Sequence, residues 1–159
     1  MESNYSLKGN RVKPLSSHQI KQTAELFSKV FSIKKKSQFK LDVVLESLFI
    51  FKINIDIVED DEWLQLTSGC YMPSTASISL PNSVYESACN GNVKDVHVVL
   101  HEIGHAILGH EALLHYSETP ATQLEDACWQ ADSFADVILN RLGIAKEGQL
   151  ELFDRKNKA

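Results

Sequence analysis

The chain has 159 residues, 43% of them hydrophobic, and a formal net charge of -5, which is enough material for one core of ordinary domain size. Its summed field repels a phosphate backbone, so direct nucleic-acid binding is not expected, and the lysine-rich stretches Lys34-Lys35-Lys36 and Arg155 to Lys158 read as solvated surface. No apolar run approaches the roughly 20 residues of a membrane span and the polar N-terminus lacks the apolar centre of a secretion signal, so no membrane contact and a cytoplasmic setting are expected.

Residues 1–13 are polar and expected to be flexible, residues 155–159 form a polar tail, and no repeat or Gly/Ser/Pro-rich linker divides the single domain expected over 14–154. Pro14 and Ser16-Ser17 announce a helix that carries Ile20, Ala24, Phe27 and Phe31 along one face. Phe39, Val43, Val44 and Leu48 repeat the spacing and predict a second helix. From Lys52 to Val58 the pattern changes to alternation with period two, which predicts a half-buried strand. Glu59 to Glu62 is an acidic turn, Cys70-Tyr71-Met72 is a candidate short strand, and Ser77 to Leu80 alternates again before Pro81 closes it. A short helix over Val84 to Ala88 ends at Asn90-Gly91-Asn92, a strong turn signal, and a longer helix starts near Val93. Gln123 to Asn140 is the last predicted helix, with Leu124, Ala127, Ala131, Phe134, Ala135 and Ile138 on its buried face. Helices, then strands, then helices make the expected class α+β.

The long helix contains His101-Glu102-Ile103-Gly104-His105. Residues four apart on a helix project from one face, so both imidazoles can point at one tetrahedral ion. Glu102 lies about 100° round the helix from His101, within reach of a water on that ion. Two ligands and one general base are the chemistry of metal-assisted peptide hydrolysis, with one zinc ion as the expected cofactor. The plain alternative is a helix with satisfied surface histidines. His97 and His115 also belong to the histidine cluster, but three successive turns span roughly 12 Å, too far for His97 to share the ion. His110, nine positions after His101, falls near the opposite side of an unbroken helix. A metzincin would carry glycine and histidine where Leu108 and Glu111 stand, so that arrangement is disfavoured.

A catalytic zinc needs a third protein ligand, and the helix over 123–140, with its acidic and thiol side chains, is its expected source. The run from His101 to His110, followed by Trp129-Gln130-Ala131-Asp132-Ser133-Phe134-Ala135, resembles the ImmA/IrrE family of intracellular zinc peptidases. The likeness extends through Ser77 to Tyr85 and, more weakly, to the two leading helices, and only the two motif stretches are specific. It implies a small zincin-like metallopeptidase domain: a short mixed sheet packed on an active-site helix, two leading helices and a C-terminal ligand helix. It also implies a gluzincin-like site in which a glutamate four residues before the aspartate of the second helix completes the metal site. Cys128 stands there instead. A thiolate is a sound zinc ligand, though a shorter one that requires the helix to sit closer. Asp132 matches the aspartate and would hold a ligand histidine by its free ring N–H, or ligate itself; Glu125 is a further alternative. Trp129 and Phe134 read as core.

Cys70, following Gly69, is a candidate regulatory thiol that could compete for the open position on zinc. The resemblance further implies a separate protein partner, a helix-turn-helix repressor of a mobile-element, phage or stress/defence operon, cleaved to release transcription. Its extended segment would pair with an edge strand beside the active-site helix, by position Ala76, Ser77, Ile78, Ser79 and Leu80. The alternative is a zinc-stabilised protein-binding module that has kept the fold and lost efficient hydrolysis.

Overall fold

The computed structural model describes residues 4–35, 39–64, 67–113 and 119–144. Among them are five α-helices and one three-stranded mixed sheet, an α+β arrangement. The tail at 155–159, the end of the expected domain and His115 lie outside the described residues.

Helix α1 (Ser17–Val30) starts where the sequence signals it. Ser16 Oγ accepts from the Gln19 amide at 3.2 Å and the Gln19 side chain accepts from the Ser16 amide at 2.9 Å, a reciprocal cap for two otherwise orphaned donors. It buries Ile20, Ala24 and Phe27. Helix α2 (Leu41–Ser47) turns its apolar face differently from the expectation: Leu41, Val44 and Leu45 are buried and Val43 is 50% exposed. A short 3₁₀ turn over Leu48–Phe51 follows, and Lys52 ends it in the left-handed region at φ 60°. That conformation delays the strand, so β1 runs Asn54–Val58 rather than from Lys52.

Strand β2 (Cys70–Met72) and strand β3 (Ser77–Pro81) are joined by a 3₁₀ turn over Pro73–Thr75. The strand order is β1-β3-β2, with β1 parallel to β3 and β2 antiparallel to it. Ile78 and Leu80 of β3 are fully buried. This corrects the sequence expectation for 76–80: the strand is central, paired with β1 from Ser77 to Pro81 and with β2 from Ser77 to Ser79, so over Ser77–Ser79 its backbone is taken on both sides. Among the described residues, the unpaired sheet edge beside the helix that carries His101 and His105 belongs to β2.

Helix α3 (Asn82–Cys89) leads through the Asn90-Gly91 turn, with Gly91 at φ 90°, to α4 (Val93–Ile107). Asn92 caps α4 by accepting from the Asp95 amide at 3.2 Å. Helix α5 (Ala127–Arg141) begins later than periodicity suggested, because Asp126 is its N-cap and Gln123–Glu125 forms a 3₁₀ turn. Leu124, expected on the buried face, is therefore 41% exposed. Helix α5 packs between α1 and α4, and α4 lies against α3, β2 and β3. Phe134 is fully buried and meets Phe27 edge-on, ring centroids 5.5 Å apart.

The N-terminal segment expected to be flexible is docked from Tyr5 onward. The fully buried carboxylate of Asp126 accepts from the Tyr5 hydroxyl at 2.7 Å, the Lys8 amide at 2.8 Å and the Gly9 amide at 3.0 Å. The Ala127 amide donates to Asn10 O at 3.1 Å and the Val12 amide to Glu125 O at 2.8 Å. Polar composition suggested a loose segment, but a buried carboxylate needs donors and this segment supplies them.

Helices α4 and α5 approach one another closely at Gly104. A Cβ on that residue would stand 3.1 Å from Ala131 O and 3.2 Å from Ala131 Cα. Gly104→Ala gains about 1 kcal/mol of helix propensity but sets a methyl against backbone that cannot rotate aside, an overpacking cost of about 1–3 kcal/mol. A net destabilisation of up to about 2 kcal/mol is expected in urea unfolding. A raised midpoint would show that α5 yields freely.

Candidate metal centre

Helical spacing puts His101, Glu102 and His105 on neighbouring positions of α4, and the Gly104–Ala131 contact brings the first turn of α5 over them. Ligand atoms of His101, His105 and Cys128 all lie within 4.8 Å of one another, a group that could hold a metal ion. The two Nε2 atoms are 3.0 Å apart, near the roughly 3.3 Å subtended by two zinc–nitrogen bonds of about 2.0–2.1 Å at a tetrahedral angle. The short cysteine reaches because glycine and alanine at the crossing let the helices sit close. Three protein donors leave a fourth position for water or substrate.

Of the alternatives for the third ligand, Asp132 instead places Oδ1 2.7 Å from His101 Nδ1. A carboxylate there accepts from Nδ1–H and leaves the Nε2 lone pair for a metal. Glu125 is turned away: its carboxylate pairs with the Arg11 guanidinium and accepts from Thr122 Oγ1 at 3.3 Å. His97 stands apart, its Nε2 3.7 Å from both Asp132 Oδ1 and Asp136 Oδ1.

Cys128 is held from both sides. Its amide donates to Asp126 Oδ1 at 3.0 Å, and the docked N-terminal segment crosses so near that a Cβ at Gly9 would lie 2.6 Å from Cys128 Sγ. Gly9 is thus required by close approach rather than by a turn. On the other wall, a Cβ at Gly69 would stand 3.0 Å from Glu102 Cγ. Between these walls lies a cleft of about 730 Å³ lined by Gly9, Asn10, Cys70, Tyr71, His97, His101, Glu102, His105 and Cys128 among others.

Electrostatics sort the titratable groups. Burial opposes a charge on His101, but hydrogen bonds to Asp132 and Cys128 and the charges of Asp132 and Glu102 outweigh it, and its pKa is pushed up to about 10. Burial and then the neighbouring charges of His101 and His110 push His105 down to about 3. The two directions differ because Asp132 favours charge on His101, and charge on His101 disfavours it on His105. Burial raises the Glu102 pKa, partly offset by His101 and the Tyr71 backbone amide, a direction that suits a general base. Cys70 is exposed and lines the cleft, yet stands outside the ligand group. Burial and the Glu102 charge raise its thiol pKa, which works against a competing thiolate.

Asp126, His110 and Gln130 were given no place in the site by the sequence, His110 being assigned to the opposite side of an unbroken helix. Asp126 anchors the segment that walls Cys128. His110 Nδ1 lies 2.8 Å from His105 Nδ1, and His110 Nε2 lies 2.7 Å from Gln130 Oε1. The unbroken helix assumed for His110 ends at Ile107, and the signal was Gly109, which takes φ 66° and turns the chain back under His105.

Metal uptake through imidazole and thiolate donors releases the protons those donors hold. Calorimetric titration of the metal-free chain with Zn²⁺ near pH 8, in buffers of different ionisation enthalpy, is expected to show release of at least about one proton per ion. Buffer-independent heats would contradict uptake through this histidine–thiol group.

No protein-family model matches the chain, and no curated protein matches it significantly. A solved structure of a Mycobacterium tuberculosis transcriptional regulator is similar over 80% of this chain and 44% of its own length, at 15% sequence identity and a TM-score of 0.40. The chain thus spans less than half of that protein.

Proposed function

We propose that this chain is a zinc-dependent regulatory endopeptidase with a zincin-like site. The observation that carries the reading is Glu102, a buried glutamate with raised basicity, adjoining a three-donor group at the floor of an open cleft. A purely structural zinc site is closed by four protein ligands and has no use for such a neighbour. Zinc held by His101, His105 and Cys128 would polarise a scissile carbonyl and lower the pKa of a bound water to about 7.

The chain's own residues supply the rest. Glu102 takes a proton from the attacking water and passes it to the leaving amine. Asp132 keeps His101 in the tautomer that offers Nε2. An extended substrate pairs with the free edge of β2 at Cys70–Met72, where the Tyr71 amide and Glu102 face one another. That edge replaces the 76–80 strand, which is central and paired on both sides over Ser77–Ser79.

The substrate class rests on the resemblance of residues 101–110 and 129–135 to the ImmA/IrrE peptidases: a separate helix-turn-helix repressor of a mobile-element, phage or stress/defence operon. The net charge of -5 favours a protein substrate over direct contact with DNA. No described helix is long and apolar enough to cross a membrane, and free cysteines at positions 70, 89 and 128 fit a reducing, cytoplasmic setting. One observation favours a second reading: Cys128 occupies the position of the family's glutamate, as a zinc-stabilised binding module with little hydrolysis could tolerate.

Glu102→Gln separates the two. Cleavage of a partner repressor is expected to fall by at least about 10²-fold, with zinc content and unfolding midpoint retained. Wild-type cleavage or wild-type induction in the variant would remove the peptidase reading.

A further inference from the structure

Gln130 is fully buried on α5, and its orientation is fixed by what surrounds it. Its amide nitrogen donates to Lys13 O at 2.8 Å and to Leu124 O at 2.6 Å. A backbone carbonyl can only accept, so both Nε2 hydrogens are committed and Oε1 must be the atom facing His110. That oxygen lies 2.7 Å from His110 Nε2, so Nε2 carries the hydrogen. In the neutral ring the other nitrogen, Nδ1, is then an acceptor. His110 Nδ1 faces His105 Nδ1 at 2.8 Å, so His105 donates from Nδ1 and keeps its lone pair on Nε2. That lone pair points at His101 Nε2, 3.0 Å away, in the ligand group.

Backbone geometry holds the pair in place. The His110 amide donates to His105 O at 3.0 Å and the Gly109 amide to Ala106 O at 3.2 Å, the two bonds of a Schellman ending, with Gly109 in the left-handed position. The same turn that satisfies the last carbonyls of α4 delivers the His110 ring beneath His105. His110 is itself buried, so water does not compete for these hydrogen bonds.

We propose that His110 and Gln130 are positioning residues: they fix His105 as its Nδ1–H tautomer and so present its Nε2 to the metal, as Asp132 does for His101. The acceptor on His105 is a neutral ring rather than a carboxylate. The relay ends on the carbonyl of Lys13 in the docked N-terminal segment, so the segment that walls Cys128 also braces the second histidine. This assignment rests on the metal-centre reading above.

Two measurements test it. In the metal-free wild-type chain, long-range proton–nitrogen correlations of ¹⁵N-histidine are expected to place hydrogen on Nδ1 of His105 and Nε2 of His110. Hydrogen on Nε2 of neutral His105 would overturn the proposal without any substitution. His110→Phe keeps the ring volume and removes the acceptor; Zn²⁺ and Co²⁺ affinity, measured against a chelator, is expected to fall about 10–100-fold, with loss of the single His105 tautomer. Affinity within about twofold of wild type, on a chain that does bind both ions, would overturn it. A chain whose wild type takes up neither ion sinks the metal-centre reading and the relay with it. Tight binding that depends on His110, together with cleavage unaffected by Glu102→Gln, sinks only the peptidase reading.

Discussion

The whole site depends on how closely α4 and α5 approach at Gly104 and Ala131. A side chain larger than hydrogen at position 104 would meet backbone atoms at 3.1–3.2 Å, so interior packing there leaves no slack. That spacing brings a short thiol within 4.8 Å of the ligand atoms of both imidazoles. It also lets Asp132, one turn further along α5, reach His101 Nδ1 while Cys128 joins the group of ligand atoms. Helix α4 offers two imidazoles by periodicity alone, and the crossing turns them into a donor set with a shaped cleft above it.

Buried polar groups then tie the rest of the chain to that crossing. Asp126, the N-cap of α5, and Gln130 on α5, both fully buried, hold the N-terminal segment at two points: Asp126 through Tyr5, Lys8 and Gly9, Gln130 through Lys13. An unsatisfied buried carboxylate or amide costs a few kcal/mol, so each is also a strong constraint on whatever segment satisfies it. The consequence is that residues far from the motif in sequence brace two of the three candidate ligands.

Much of this was legible in the amino-acid order, and the failures share a cause. The His101-Glu102-x-x-His105 spacing, the capping signal at Ser16 and the Asn90-Gly91 turn are local, and each stands where its chemistry predicts. The missed features are tertiary. Alternation marks Ser77 to Leu80 as a strand but says nothing about its neighbours, so a central strand passed for an edge. Val43 and Leu124 fit a helical period, yet burial depends on which face meets another element. The polar composition of residues 1–13 signals looseness unless a buried acceptor is waiting, and Asp126 is more than a hundred residues away. His110 was readable in part: Gly109 marks a helix end, and once the helix stops there the nine-residue spacing no longer carries the ring to the opposite side.

The central claim is a two-imidazole, one-thiolate donor set, and X-ray absorption at the zinc edge of the loaded wild-type chain reads it most directly. One sulfur at about 2.3 Å and two imidazole nitrogens at about 2.0–2.1 Å, with a light atom in the fourth position, is the expected shell. A shell of nitrogen and oxygen alone, with no sulfur, would contradict it.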